Sequence, residues 1–472
     1  MSAAYVSTRG EAPKLGFTDA MLAGLARDGG LYVPEVWPTF SFAEMSDFAG
    51  RSYADIAEAV IAPYAGDSIS REDLRAMIDE AYETFRHPAV TPLVQTGPNR
   101  FILELSHGPT LAFKDVAMQL LARMMDHALA ERGQRTTIVG ATSGDTGGAA
   151  IDAFRGRDRA DVFILMPWGK VSEVQRRQMT TATEDNVHAI AIDGSFDDAQ
   201  ALVKAMFNDH AFRDRLALGG VNSINWARVL AQVVYYFVAA VALGAPRRTI
   251  DFVVPTGNFG DVFAGYVAKR MGLTIGKLVI ATNINDILAR TLETGRYEVR
   301  GVQPTTSPSM DIQVSSNFER LIFDACGRDS GIVRGAMGSL AQSGSFELNR
   351  RTLGAIRREF LAGRADEAEV ADTIDRVRRE TGYLIDPHTA VAYAVADSVE
   401  LDPATPTVVL STAHPGKFPD AVEAASSVRP DLPPHLSELL ELPEKLVRLP
   451  NDLVAVQAFI EANARIVRGE AA

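Results

Sequence analysis

From about Pro98 onward the chain repeats one unit: a short apolar run, a turn rich in Gly or Asn, then a stretch with helical periodicity. The runs are FILEL (101–105), TTIVGA (136–141), DVFILMP (161–167), VHAIAI (187–192), DFVVP (251–255), LVIATN (278–283) and TVVLST (407–412). None alternates apolar with polar residues, so each strand is buried on both faces. Strands of that kind belong to parallel sheets covered by helices on both sides. The fold class is therefore α/β. At 472 residues the chain is too long for one core. The units predict two doubly wound α/β lobes, residues 91–240 and 241–425. Residues 1–90 read instead as a mainly helical cap, with helical patterns at 53–65 and 71–85. Residues 426–472, opened by Pro-rich punctuation at 429–435, read as a helical tail packed on the body.

Several function classes fall away. The formal net charge of −13 gives no electrostatic footprint for nucleic acid. The single cysteine, Cys326, allows neither an intrachain disulfide nor a multi-cysteine metal site, and it fits a reducing, cytoplasmic setting. The first residues carry no apolar core of a secretory signal. The most apolar stretch, 229–245, contains Gln232 and is short for a membrane span, so it is expected as a buried helix. No Ser/His/Asp triad and no HExxH pattern is evident.

In open α/β sheets, ligands sit at the carboxyl ends of the strands, and every unusual motif of this chain follows a predicted strand. ATSGDTGGAA (141–150) supplies Gly144, Gly147 and Gly148, whose amides can approach an anion, beside the hydroxyls of Ser143 and Thr146. The plain alternative is a tight strand-to-helix turn. PTGNFGD (255–261) repeats the logic with Gly257, Asn258, Phe259 and Gly260 ahead of a helix from Asp261. Two such loops suggest a ligand with two anionic ends. NSINWARVLAQ (222–232) brackets a helix start with Asn222 and Arg228, and arginine is a bidentate partner for phosphate or carboxylate. Lys170 follows another strand end, within a stretch that otherwise reads as a solvated face. STAHPGKFPDA (411–421) places the Thr412 hydroxyl at the top of the sheet, and its His414 reads as structural.

In HGPTLAFKDVAMQ (107–119), Lys114 stands among Leu111, Ala112, Phe113, Val116 and Ala117. An amine in apolar surroundings loses proton affinity because its charged form is desolvated. A neutral lysine is a nucleophile for aldehydes. The cofactor that needs such a lysine, and an amide cradle for its own phosphate, is pyridoxal phosphate. A snorkelling surface lysine is the alternative for this stretch alone.

Taken together, YVSTRG, HGPTLAFKD, SGDTGGAA, GKVSEVQRRQM, NSINWAR, PTGNFGD and TAHPGKF resemble segments of the threonine synthase family, in that family's order and across about 410 residues. The N-terminal cap makes the chain similar to the family's longer branch. The resemblance implies a fold-type II pyridoxal-phosphate lyase that converts O-phospho-L-homoserine and water to L-threonine and phosphate. It implies that Lys114 bears the cofactor and shuttles protons. Gly257, Asn258, Phe259, Gly260 and Asp261 match the cofactor-phosphate loop, and Thr412 matches the partner of the ring nitrogen. Ser143, Asp145 and Thr146 fall where the family holds substrate. Shorter relatives carry asparagine in place of Asp145, where it contacts the ring hydroxyl. Asn222 and Arg228 match positions for the substrate phosphate, with Lys170 as a further candidate. The expected partner is this small molecule, with no nucleic acid, no membrane and a monomer or homodimer. A serine/threonine dehydratase would share Lys114 and the cradle but not the need for Arg228 and Asn222. A catalytically silent ligand-binding relative would not need Lys114. A nucleotide-binding oxidoreductase lacks its GxGxxG.

Overall fold

The apolar runs form the strands of two sheets in the computed structural model, which describes residues 3–142 and 144–468. The larger sheet has six strands in the order Phe360–Arg364, Ile275–Thr282, Ile250–Pro255, Thr407–Ser411, Arg100–Glu104, Leu93–Gly97. Every neighbouring pair is parallel except the last, an antiparallel hairpin. The smaller sheet is parallel throughout, in the order Val447–Pro450, Val187–Asp193, Ala160–Pro167, Thr136–Ala141, Leu218–Gly219. All residues of Ala160–Pro167, Ile250–Pro255 and Thr407–Ser411 are buried, as two covered faces require.

The expected linear division into lobes is corrected by the strand order. The hairpin of residues 93–104 lies in the larger sheet because Thr407–Ser411 pairs with it, Thr407 opposite Arg100 and Ser411 opposite Glu104. The boundary at 240 therefore does not separate the two sheets. The tail is not purely helical either. Val447–Pro450 adds a parallel edge strand to the smaller sheet, with Val447 opposite Ile190, before the helix Leu453–Asn463.

Among the described residues, the first 90 hold four α-helices, Phe17–Ala23, Phe42–Ser46, Tyr53–Ala65 and Arg71–Glu83, and a short pair of strands, Tyr5–Ser7 with Tyr32–Pro34. They pack on the helix Trp226–Ala242, which is buried along nearly its whole length as its composition predicts. Tyr5, Trp37 and Tyr64 surround the Trp226 ring at centroid distances of 6.1, 6.0 and 5.7 Å. Each aromatic pair contributes on the order of 1 kcal/mol beyond its buried area. Arg320, fully buried, donates to the carbonyls of Tyr32 and Ile224 and so ties this region to the body.

Strand order also sets the site. Ile250–Pro255, Thr407–Ser411 and Arg100–Glu104 are adjacent and parallel, so the three loops leaving their carboxyl ends are neighbours. Those loops carry residues 256–260, Thr412 and Lys114. The helix Asp145–Phe154, leaving Thr136–Ala141 of the smaller sheet, brings Asp145 to the same point. Among the described residues no helix is long and apolar enough to cross a membrane, and no cluster of His, Cys, Asp and Glu is placed to hold a metal ion.

Candidate active site

Lys114 is the first residue of the helix Lys114–Glu131. The turn before it holds Leu111 at φ +62°, and a backbone staple fixes that strained conformation. Phe113 donates its N–H to the Thr412 carbonyl at 2.8 Å, and His414 donates to the Leu111 carbonyl at 3.0 Å. The Lys114 side chain is 10% exposed. Its Nζ lies 3.4 Å from Asp145 Oδ2, 3.3 Å from Ser309 Oγ and 5.0 Å from the Phe113 ring centroid. Burial lowers its proton affinity, the charge of Asp145 acts the other way, and Lys417 and Arg228 add to the lowering. The amine is thus biased toward its nucleophilic form.

Asp145 is the hub. Burial alone would raise its carboxyl, but Lys417 and Lys114 outweigh that and hold it well below the usual carboxylate range. Lys417 Nζ lies 2.9 Å from Oδ1, and Gln175 Nε2 donates to the same oxygen at 2.8 Å. Ser309 Oγ donates to Oδ2 at 3.2 Å. Gly144 makes room for Gln175: at φ +156° it has a conformation that side chains rarely adopt, and a Cβ there would meet the Gln175 carboxamide at 2.4 Å.

The glycine amides of this loop are already occupied, contrary to the expectation of an anion cradle. Thr142 Oγ1 accepts from the amides of Gly144 and Gly147, both at 3.0 Å, and Gly148 donates to the Gly144 carbonyl at 3.4 Å. The hydroxyl of Thr142, within the motif itself, caps the turn from inside. Thr146 is half-buried. Ser143 lies outside the described residues.

The second loop is different. Phe259 at φ +64° opens the helix Gly260–Arg270, and among the described residues the amides of 257–261 have no backbone or side-chain acceptor. Helix N-termini of this kind attract phosphate. Gly257 is required by the protein's own chain, since a Cβ would come within 2.7 Å of the Ser309 carbonyl. Phe259 is buried against Phe318 and Phe360. Asn258 is exposed, and its carbonyl accepts from the N–H and Nδ2 of Asn317 at 3.1 and 3.0 Å. The Asp261 carboxyl is taken up by Tyr235 at 2.5 Å and Tyr236 at 2.9 Å, so the backbone amide is what this residue offers a ligand. Burial pushes that carboxyl up to about 6, against the two hydroxyl bonds.

Asn317 Nδ2 also donates to the Ser223 carbonyl at 3.0 Å, which joins the NSINWAR turn to the loop of residues 257–260. Arg228 is 3% exposed. Its Nη1 donates to the Val221 carbonyl at 3.0 Å, its Nε finds no acceptor among the described residues, and burial pulls it down to about 10. A buried guanidinium with an unfilled donor and no carboxylate partner among the described residues is chemically suited to receive an anion. Asn222 is exposed; Asn225 is the buried asparagine of the motif, its Oδ1 capping the helix through the Ala227 amide at 3.0 Å. Lys170 is exposed as well and acts on the carboxyl of Asp198. Thr412 is buried. His414 is structural as expected, its Nδ1 accepting from the Gly416 amide at 3.0 Å.

Several site residues were not singled out by sequence. Lys417 sits inside TAHPGKF and Gln175 inside GKVSEVQRRQM, both motifs recognised as segments without these side chains being separated. Ser309 and His388 carry no local signal. Ser309 donates its N–H to His388 Nε2 at 3.3 Å, and His388 Nδ1 meets Asp386 at 2.7 Å.

A suppressed lysine, free amides at a helix start, an unpaired buried arginine and a buried threonine hydroxyl fit pyridoxal phosphate. Where two parallel sheets present them together, they define a pyridoxal-phosphate-dependent enzyme of fold type II, and residues 85–337 match the family model "Pyridoxal-phosphate dependent enzyme". Residues 4–82 match "Threonine synthase N terminus", and residues 389–460 match "Threonine synthase, C-terminal". The chain is 50% identical to the threonine synthase of Pseudomonas aeruginosa over 97% of each chain. It is 42% identical to that of Saccharomyces cerevisiae over 94% of this chain and 95% of the other. Among solved structures, the pyridoxal-phosphate-bound threonine synthase of Brucella melitensis superposes with a TM-score of 0.97 at 61% identity, covering 98% of this chain and all of that one. The Escherichia coli threonine synthase gives 0.82 at 32%, covering 97% and 99%. This chain belongs to the threonine synthase family, and its cofactor is pyridoxal phosphate.

Proposed function

We propose that the chain converts O-phospho-L-homoserine and water to L-threonine and phosphate, with Lys114 bearing the cofactor. The observation that carries this reading is the placement of Lys114: a buried amine with lowered proton affinity, bonded to Asp145 and Ser309 and under the influence of the unpaired Arg228. Bound pyridoxal phosphate supplies an electron sink that acidifies carbon-bound protons near the substrate's amino group. The amine of Lys114 takes and returns protons at the α and β carbons, for which its lowered proton affinity suits it. The amides of Gly257, Asn258, Phe259, Gly260 and Asp261 hold the cofactor phosphate at the helix N-terminus. Thr412 gives the ring nitrogen a neutral hydroxyl partner, which keeps the electron sink mild, and Asp145 faces the ring hydroxyl. Arg228 receives the substrate phosphate, with Asn222 and Lys170 at the rim. Thr146 binds the substrate, and Ser143, outside the described residues, matches a substrate-holding position of the family. Departure of phosphate from the γ carbon and addition of water at the β carbon balance the reaction. The enzyme works in the cytoplasm as a monomer or homodimer.

The test is a visible spectrum of the holoenzyme before and after O-phospho-L-homoserine, with phosphate release followed in the same cuvette. A band that shifts as phosphate appears, and that Lys114→Ala abolishes together with turnover while far-UV circular dichroism stays unchanged, supports the reading. A band without phosphate release moves the assignment to a dehydratase. Turnover that survives Lys114→Ala overturns it.

A further inference from the structure

Asp145 is shared by four donors on four segments, and two of them are lysines. Lys114 approaches one carboxylate oxygen and Lys417 the other. Lys417 is fully buried, and its Nζ also donates to the Thr110 carbonyl at 2.6 Å. A buried ammonium is costly unless it is paired and bonded, so its presence needs a reason. Stability alone is a poor one, because apolar replacement of a buried ion pair is commonly neutral or stabilising. Its placement offers a better one. Thr110 belongs to the loop that ends in Lys114, and Asp145 opens the helix that follows a strand of the opposite sheet, so one ammonium grips both walls of the site. Asp145 also has a charge problem. An amide side chain in its place would be neutral by itself, whereas a carboxylate brings a negative charge to the reacting nitrogen.

We propose that Lys417 is a positioning residue for the reaction: its ammonium neutralises Asp145 and aims the other carboxylate oxygen at the nitrogen of Lys114, so that the Asp145–Lys417 pair acts as one neutral hydrogen-bonding unit. This rests on the reading of Lys114 as the cofactor-bearing amine. The proposal predicts opposite effects for the two halves of the pair. With Lys417 removed, the charge of Asp145 is opposed only by burial and Arg228 and holds the Lys114 proton more tightly. With the charge of Asp145 removed, Lys417 and Arg228 both drive that proton off. The other titratable groups facing the pair are Arg228, which acts on Lys114, His388, which lies near Asp145 and is bonded to Asp386, and Asp115, which is bonded to Thr110 and feels the charge of Lys417. They are the same in every variant.

The experiment is a double-mutant cycle on the holoenzyme, following the pH dependence of the cofactor's visible band and of kcat/KM. Lys417→Met is expected to move the apparent midpoint up and Asp145→Asn to move it down, each by about one pH unit. The double variant Asp145→Asn/Lys417→Met returns near the wild-type midpoint and recovers at least about tenfold of the kcat/KM lost in Lys417→Met, because it leaves no unpaired buried charge. Should Lys417→Met fail to fold, the double variant set against Asp145→Asn still reads the effect of Lys417 on the midpoint, which should move up; a midpoint that stays put or falls overturns the proposal. Singles that shift in the same direction, a Lys417→Met midpoint equal to wild type, or a double variant no better than the worse single would overturn the proposal. A wild-type band that persists in Lys114→Ala would instead remove the reading of Lys114, and the proposal with it.

Discussion

The Phe113 amide donates to the Thr412 carbonyl at 2.8 Å, and together with the His414 amide on the Leu111 carbonyl this bond joins the loop of Lys114 to the loop of the hydroxyl expected at the ring nitrogen. Because the link is made by backbone, it survives a change of either side chain. Lys114 and Thr412 are therefore registered by strand pairing, Leu410 with Leu103 and Ser411 with Glu104, rather than by their own contacts. Point substitutions in this site should report chemistry rather than collapse.

Arg228→Met is expected to raise KM for the phosphorylated substrate by about a hundredfold, the worth of a charge-assisted bond in a desolvated site. Stability should change by less than about 1 kcal/mol, since relief of a buried charge offsets the lost bond to Val221. Steady-state phosphate release and thermal unfolding check both halves. An unchanged KM would move the substrate phosphate elsewhere.

Gly144→Ala should cost about 1–3 kcal/mol and at least about tenfold in activity, because the strained φ and the clash push Gln175 off Asp145. Gly156→Ala is the control. It shares a positive φ, +72°, but has no atom within 4 Å of the added Cβ, so it should cost about 1 kcal/mol and leave turnover intact. Urea unfolding and phosphate release on both variants separate backbone strain from the contact.

Asp261 gives a pH prediction with a definite sign. Its folded value, raised to about 6 from 3.8 by burial, favours the protonated form in the native state. The stability it contributes is full below the unfolded value and is lost as pH rises through 6. Wild type should lose about 3 kcal/mol relative to Asp261→Asn between pH 3.5 and 6.5, at roughly 1.4 kcal/mol per unit, and nothing further above that. Denaturant midpoints of the pair across this range provide the check. A difference that grows with pH in the other direction would reverse the assignment.

The parallel core was legible because buried strands write themselves as unbroken apolar runs. TTIVGA is a strand over the residues expected, and DFVVP and DVFILMP each gain one residue at the start. Leu93–Gly97 and Phe360–Arg364 were not legible. Both are edge strands of the larger sheet; the first is half-exposed, and the second takes up directly from the helix Arg350–Glu359 without a turn to announce it. Lys114 and Arg228 could be picked out because charged groups in apolar runs are anomalous. Lys417 could not, since TAHPGKFPDA looks like an ordinary loop and its burial comes from Asp145 and Thr110, far away in the chain. The glycines of SGDTGG misled in one respect: their spacing suits a cradle, but only the fold shows that Thr142 has claimed their amides.

The strand Thr407–Ser411 lies between Arg100–Glu104 and Ile250–Pro255. During synthesis the ribosome delivers the outer two long before the middle one, so the larger sheet has a gap at its centre until the chain is nearly finished. Lys114 hangs from one rim of that gap and the loop of residues 256–260 from the other. In a nascent chain Lys114 therefore stands outside its buried setting until the last segments close the sheet.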